Sequence, residues 1–302
     1  MKTYNNLLIH TLAFGVPQTL DDVRLYADRA AGLGASGLEL LFEPLPVFPP
    51  KEVVRIMKTA GLSKATLCVF IPGDGSFGDP LSLKNRWSTV NLVRKAANHL
   101  CDLREGGLKI EVIDGPFAFV LGKTDYPPGA LCEVVNFVRL VIEEVCCRDV
   151  KLALEPLQES EDGVIRKAAI LTEILNSVGS ANLGALLDTF HLVKNGQDIV
   201  SAITEIDRSN SAGIVHFHAN GIGKDLENEG RIPCGSFKDT INWRIVSQAL
   251  QNADYDGLIC LEPFSEAACN AIPPLRTGVV PVTDDSQIAE SVTNLAAVGI
   301  LK

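Results

Sequence analysis

A chain of 302 residues that is 46% hydrophobic can bury a large core, and it has no apolar run long enough to span a bilayer. Its formal charge of −10 argues against a nucleic-acid backbone as the main partner, because that affinity rests on clustered Lys and Arg. The eight cysteines include the adjacent pair Cys146-Cys147 and no Cys-x-x-Cys, which matches neither a zinc knuckle nor a secreted disulfide framework.

The start, Met1 to Asn6, lacks a basic segment followed by a long apolar one, so a cytoplasmic protein with reduced cysteines is expected. Leu7 to Leu12 reads as a first strand. A helix follows over Asp21 to Leu33, with Val23, Tyr26, Ala27 and Ala30 at helical spacing, a cap near Thr19 and a stop at Gly34. Strands are then expected at Gly37 to Leu41, Ala65 to Ile71 and Leu108 to Ile113. The helices between and after them are Lys51 to Ala60, Leu83 to Leu103 and Ala130 to Cys146.

The second half repeats the pattern. Strands at Lys151 to Glu155, Leu183 to Asp188, Gly213 to His218 and Gly257 to Glu262 alternate with helices at Ile170 to Val178, Asp198 to Ile206, Asn242 to Ala253 and Ser286 to Val298. Eight strand-helix units predict a parallel sheet covered by helices, and in a chain of this length they fit a closed (β/α)8 TIM barrel better than a doubly wound sheet. No linker or composition shift divides the chain, so residues 1–302 are expected to form one domain. Two long loops, Asn220 to Thr240 and Ser265 to Asp284, lie on the face where such barrels do chemistry and read as lids or binding elements.

Side chains alternate faces along a strand. Glu155 therefore shares a face with Ala153, Asp188 with Leu186 and Gly184, His218 with His216, and Glu262 with Cys260. The opposite face is bulky and apolar: Leu152 and Leu154, Ala185 and Leu187, Val215 and Phe217, Ile259 and Leu261. Three carboxylates and an imidazole thus fall at the C-terminal ends of four strands, on the face away from the helices. Three carboxylates crowded together without a cation would repel one another, so the four predict a divalent-metal site. Three oxygen ligands and one nitrogen suit Mn²⁺, Mg²⁺ or Co²⁺ rather than a sulfur-rich zinc site.

The segments Glu155-Pro-Leu-Gln-Glu-Ser-Glu161, Leu187-Asp188-Thr-Phe-His191, His216-Phe-His218 and Leu261-Glu262-Pro-Phe264 resemble the signatures of the xylose-isomerase-like barrel superfamily. The resemblance is strongest to its sugar phosphate isomerase/epimerase branch, and within that to ketose 3-epimerases of the D-tagatose 3-epimerase type. It implies that Glu155, Asp188, His218 and Glu262 hold one divalent ion, most often Mn²⁺, with Mg²⁺, Co²⁺ or Zn²⁺ as substitutes. It further implies that Glu155 and Glu262 exchange the substrate proton, and that His191, Arg231 and Glu161 hold substrate oxygens. Gly115-Pro116 resembles a family turn. A sugar or sugar phosphate is the implied partner, in a homodimer or homotetramer, with no nucleic acid and no membrane.

The chemistry agrees with that resemblance. A proton on the carbon beside a ketone is too weakly acidic for an unaided carboxylate, so a metal must stabilise the enediolate while an acid and a base act on opposite faces. C3 epimerisation leads; a hydroxypyruvate-isomerase-like 1,2-isomerase or an inosose-dehydratase-like lyase would use the same ligands. An endonuclease IV-like repair enzyme would need more histidines than the five present. A barrel that binds sugar without turning it over is the remaining class.

Other polar residues have plainer readings. His216 reads as a hydrogen-bonded core residue one layer below His218, and His10 as either a pocket or a packing residue. His99 reads as a solvated or structural helix residue. Glu39 reads as a strand glutamate paired by a neighbouring Lys or Arg, and Trp87 and Trp243 as core packing. Lys224 and Arg276, on the long loops, are the candidates to meet a phosphate.

Overall fold

The alternation of apolar strands and amphipathic helices closes into a barrel in a computed structural model of the chain. The structure describes residues 2–42, 48–69, 83–114, 130–146, 148–157, 165–224, 230–271, 281 and 284–302. The strands in chain order are β1 (Leu7–His10), β2 (Gly37–Phe42), β3 (Lys64–Val69), β4 (Val112–Asp114), β5 (Lys151–Leu154), β6 (Leu183–Asp188), β7 (Ile214–Ala219), β8 (Gly221–Ile222), β9 (Arg231–Ile232) and β10 (Ile259–Leu261). All except β8 and β9 pair in parallel, in the order β1-β2-β3-β4-β5-β6-β7-β10, and β10 returns to β1. This is a TIM barrel.

Helices α1 (Leu20–Gly32), α2 (Pro50–Thr59), α3 (Leu83–Glu105), α4 (Ala130–Cys146), α5 (Ala168–Val178), α6 (Thr189–Lys194), α7 (Ile199–Asp207), α8 (Trp243–Asn252), α9 (Glu266–Ala271) and α10 (Asp285–Ala297) complete the described elements. Among these, none is long and apolar enough to cross a membrane. The start of α1 shows how sequence sets a boundary. Thr19 accepts the backbone N–H of Asp22 while the Asp22 carboxylate accepts that of Thr19, so two donors left over at the helix start are satisfied together.

The main core lies between the strands and the helices. Leu152, Leu154, Leu183, Ala185, Leu187, Phe217, Ile259 and Leu261 all join it from the barrel's outer face. Seven cysteines are free, and Cys147 lies outside the described residues.

Several expectations change. The first strand stops at His10 because that residue's Nδ1 accepts the N–H of Leu12 and turns Thr11–Ala13 into a 3₁₀ turn. The fourth strand begins at Val112, and only Lys109 pairs ahead of it, with Lys64. The loop after β7 is not all loop, since β8 and β9 pair antiparallel within it. Trp243 is buried as expected, but Trp87 is 55% exposed. His99 packs its ring against Phe42.

Strict alternation also fails in β7. The register against β6 shifts between Ala185 and Leu186, so Val215 leaves the outer face and packs inside the barrel with Val112, Ala153 and Leu186. Gly184 makes room for it: a Cβ there would meet Val215 at 2.6 Å and the Gly213 carbonyl at 2.7 Å. Gly184→Ala is therefore expected to cost about 1–3 kcal/mol through overpacking, read as a lower urea midpoint with an unchanged m-value.

Candidate metal centre

The parallel strands carry Glu155, Asp188, His218 and Glu262 to one end of the barrel, where all four are buried. The His218 Nδ1 nitrogen lies 3.3 Å from Glu262 Oε2, 3.9 Å from Glu155 Oε1 and 4.0 Å from Asp188 Oδ2. That nitrogen is buried and makes no well-formed hydrogen bond among the described residues. An ion with bonds of about 2.1 Å holds neighbouring ligand atoms about 3.0–3.4 Å apart and opposite ones about 4.2 Å apart. The three spacings fall within that span; Asp188, His218 and Glu262 offer ligand atoms within 4.8 Å of one another and so fit one divalent cation, while Glu155 groups in the same way with Asp188 and His191.

Local structure fixes one of these ligands. Asp188 caps α6: its Oδ1 accepts the N–H of Phe190 at 2.6 Å and the Asn220 side-chain amide at 3.0 Å, leaving Oδ2 turned to the mouth. Thr189 ties the ends of β6 and β7 together, accepting from the N–H of Asn220 and donating to its carbonyl. Sequence reading missed Asn220, because a lone Asn after a strand carries no spacing signal.

The antiparallel pair β8 and β9 brings Arg231 over the same mouth. Its Nη2 lies 3.0 Å from Asp188 Oδ2 and its Nη1 3.1 Å from Glu262 Oε2. The guanidinium sits between the rings of Phe190 and Phe264, at 4.6 and 4.2 Å from their centroids. His191, in the first turn after Asp188, places Nε2 3.7 Å from both Glu155 Oε1 and Asp188 Oδ2 and 3.4 Å from Arg231. Glu161, Gly115-Pro116 and Arg276 lie outside the described residues. Lys224 is described and exposed.

The charge balance suits a cation. Burial alone would raise the Glu262 pKa, but Arg231 and then His218 outweigh it and hold this carboxyl ionised, well below the usual range. Burial likewise opposes a charged His218, yet the Glu39 and Glu262 carboxylates draw its pKa well above the usual histidine value. Of these two carboxylates Glu262 is the one that faces Nδ1, where it favours positive charge.

Below the mouth lies a layer in which His216 is the buried, hydrogen-bonded residue expected, while Glu39 has partners other than those expected. Glu39 is fully buried and paired with histidines, not with Lys or Arg. It accepts from Thr66 Oγ1 at 3.0 Å and bonds His216 Nε2 at 2.5 Å and His218 Nε2 at 3.2 Å. His10 Nε2 faces its other oxygen at 3.4 Å. Burial opposes the Glu39 charge, but His218 and His216 hold its pKa well below normal. Nearby Asp114 is also fully buried, and burial together with the Glu39 charge pushes its pKa well up.

A closed parallel barrel with a buried cluster of carboxylate and imidazole ligands at the C-terminal ends of its strands defines a class of barrel able to hold a metal there. The family model described as xylose isomerase-like TIM barrel matches residues 27–291, and the chain belongs to that family. It is 30% identical over 156 residues to a probable ketose 3-epimerase of Synechocystis sp., a match covering 51% of this chain and half of the relative's length. It is 26% identical over 250 residues to the D-psicose 3-epimerase of Ruminiclostridium cellulolyticum, covering 80% of this chain and 78% of that one. Among solved structures, an L-ribulose 3-epimerase superposes with a TM-score of 0.79 at 18% identity, covering 97% of this chain and 95% of the other. The D-psicose 3-epimerase of Clostridium cellulolyticum H10 with D-tagatose gives 0.76 at 19% identity, covering 98% and 99%. At these identities the superpositions speak to the fold.

Proposed function

We propose that the protein is a divalent-metal-dependent sugar isomerase that inverts C3 of a ketose. The observation that carries this reading is the convergence of three carboxylates on Nδ1 of His218. The names of the relatives supply the reaction class, since they are ketose 3-epimerases.

Glu155, Asp188, His218 and Glu262 would hold the ion, and Mn²⁺ suits their mixed oxygen and nitrogen set. When bound, the cation supplies positive charge beside the substrate oxygens and so makes the adjacent C–H bond acidic enough to break. The chain's own residues do the rest. One glutamate of the pair Glu155 and Glu262 takes the C3 proton, and the bond electrons move toward C2 to give an enediolate. The other glutamate returns a proton to C3 from the opposite face, which inverts that carbon.

Arg231 and His218 hold Glu262 ionised, the state a base requires. Arg231, His191 and Glu161 are assigned to the substrate oxygens. For Arg231 and His191 that role is supported by their position above the carboxylates, within 3.7 Å of them.

The test is a set of free and phosphorylated ketoses incubated with the Mn²⁺-loaded protein in D₂O. Deuterium at C3 of the epimerised product is expected. Deuterium at C1 or C2 alone would mark a 1,2-isomerase, and loss of a hydroxyl a lyase; either would overturn the C3 assignment.

A further inference from the structure

The buried Glu39 lies outside the ligand set, yet it contacts one member of that set. We infer that Glu39 is the positioning residue for the metal site: it holds the proton of His218 on Nε2 and so presents Nδ1 to the cation. The inference rests on the metal reading above and goes beyond it.

The geometry runs through one ring. His218 Nε2 lies 3.1 Å from Glu39 Oε1 and 3.2 Å from Oε2, while the opposite nitrogen, Nδ1, faces the three carboxylates of the mouth. A carboxylate only accepts hydrogen bonds, so the nitrogen facing Glu39 must carry hydrogen. The other nitrogen is then the one free to bind a metal.

The neighbours of Glu39 keep it an acceptor. Thr66 Oγ1 donates to Oε2. His10 accepts the Leu12 N–H at Nδ1, so its hydrogen sits on Nε2, the nitrogen directed at Glu39. His216 Nε2, at 2.5 Å, completes the set. With Thr66 of β3 and His216 of β7 bonded to one oxygen and His10 of β1 facing the other, the carboxylate has little freedom to turn away. An apolar side chain would pack this layer without such a network, so the buried charge is explained by what it does to His218. Partners of this kind orient metal histidines and raise their basicity.

The test compares wild type with Glu39→Gln, which keeps the shape but replaces one acceptor oxygen by a donor. Mn²⁺ affinity, measured by competition with a chromophoric chelator, is expected to fall about 10- to 100-fold. In ¹⁵N-histidine NMR spectra, wild type loaded with diamagnetic Mg²⁺ is expected to show the His218 proton on Nε2; this measurement decides even if Glu39→Gln fails to fold. Hydrogen on Nδ1 in wild type, or an affinity within threefold in a folded Glu39→Gln, would overturn the assignment. Two Mn²⁺ ions per wild-type chain, one of them lost in Glu39→Gln, would also overturn it, because Glu39 would then be a ligand. A wild type that takes up no Mn²⁺ would instead sink the metal reading on which the inference stands.

Discussion

Glu262→Gln is expected to lower kcat for a ketose by about 10²- to 10⁴-fold, the range a positioned acid or base contributes, while sugar binding survives. Gln keeps an oxygen that can face Arg231 Nη1, now 3.1 Å from Glu262 Oε2, so the guanidinium keeps a partner between Phe190 and Phe264. What it loses is the negative charge and the capacity to take up a proton. Because Glu262 also stands in the ligand set, metal content must be measured alongside turnover. A variant that retains its cation and still fails to exchange deuterium at C3 isolates the proton-transfer role. A kcat within threefold of wild type would remove Glu262 from the chemistry.

Asp188→Asn should have the largest effect on the metal itself. The substitution leaves local structure alone, since Asn caps helices as well as Asp does and its oxygen can still accept the Phe190 N–H. Its amide group then replaces Oδ2. A donor would face the Arg231 guanidinium where a 3.0 Å ion pair stood, and one ligand and one charge would leave the mouth. Mn²⁺ affinity is expected to drop at least about 100-fold, or about 2.7 kcal/mol. Thermal unfolding reports the same loss: Mn²⁺ at about a hundred times Kd should stabilise wild type by about 2.7 kcal/mol, and the same concentration should stabilise Asp188→Asn by little. An equal gain in both proteins would place the ion elsewhere.

Much of this mouth was legible in the chain. A strand of alternating residues that ends in a carboxylate or imidazole announces both its face and its end, which is why Glu155, Asp188, His218 and Glu262 were found together. The start of α1 was legible for a similar reason, since its cap is made by residues three apart. What escaped depends on contacts between distant parts of the chain. Glu39 meets His216 and His218 at separations of 177 and 179 residues, and no local pattern marks such a partner. Asp114 escaped because the fourth strand was expected to stop one residue earlier. Val215 was placed on the wrong face because a register shift between Ala185 and Leu186 breaks the period of two, and the two-residue strands β8 and β9 are too short to show a period at all.

The most direct test of the account counts ions. Equilibrium titration with Mn²⁺, following free ion by its electron paramagnetic resonance signal, should find one tight site per wild-type chain and none of comparable affinity in Asp188→Asn. A folded wild-type protein that leaves the added Mn²⁺ free in solution, or an Asp188→Asn protein that binds it equally well, would contradict a cation centre at the mouth of this barrel.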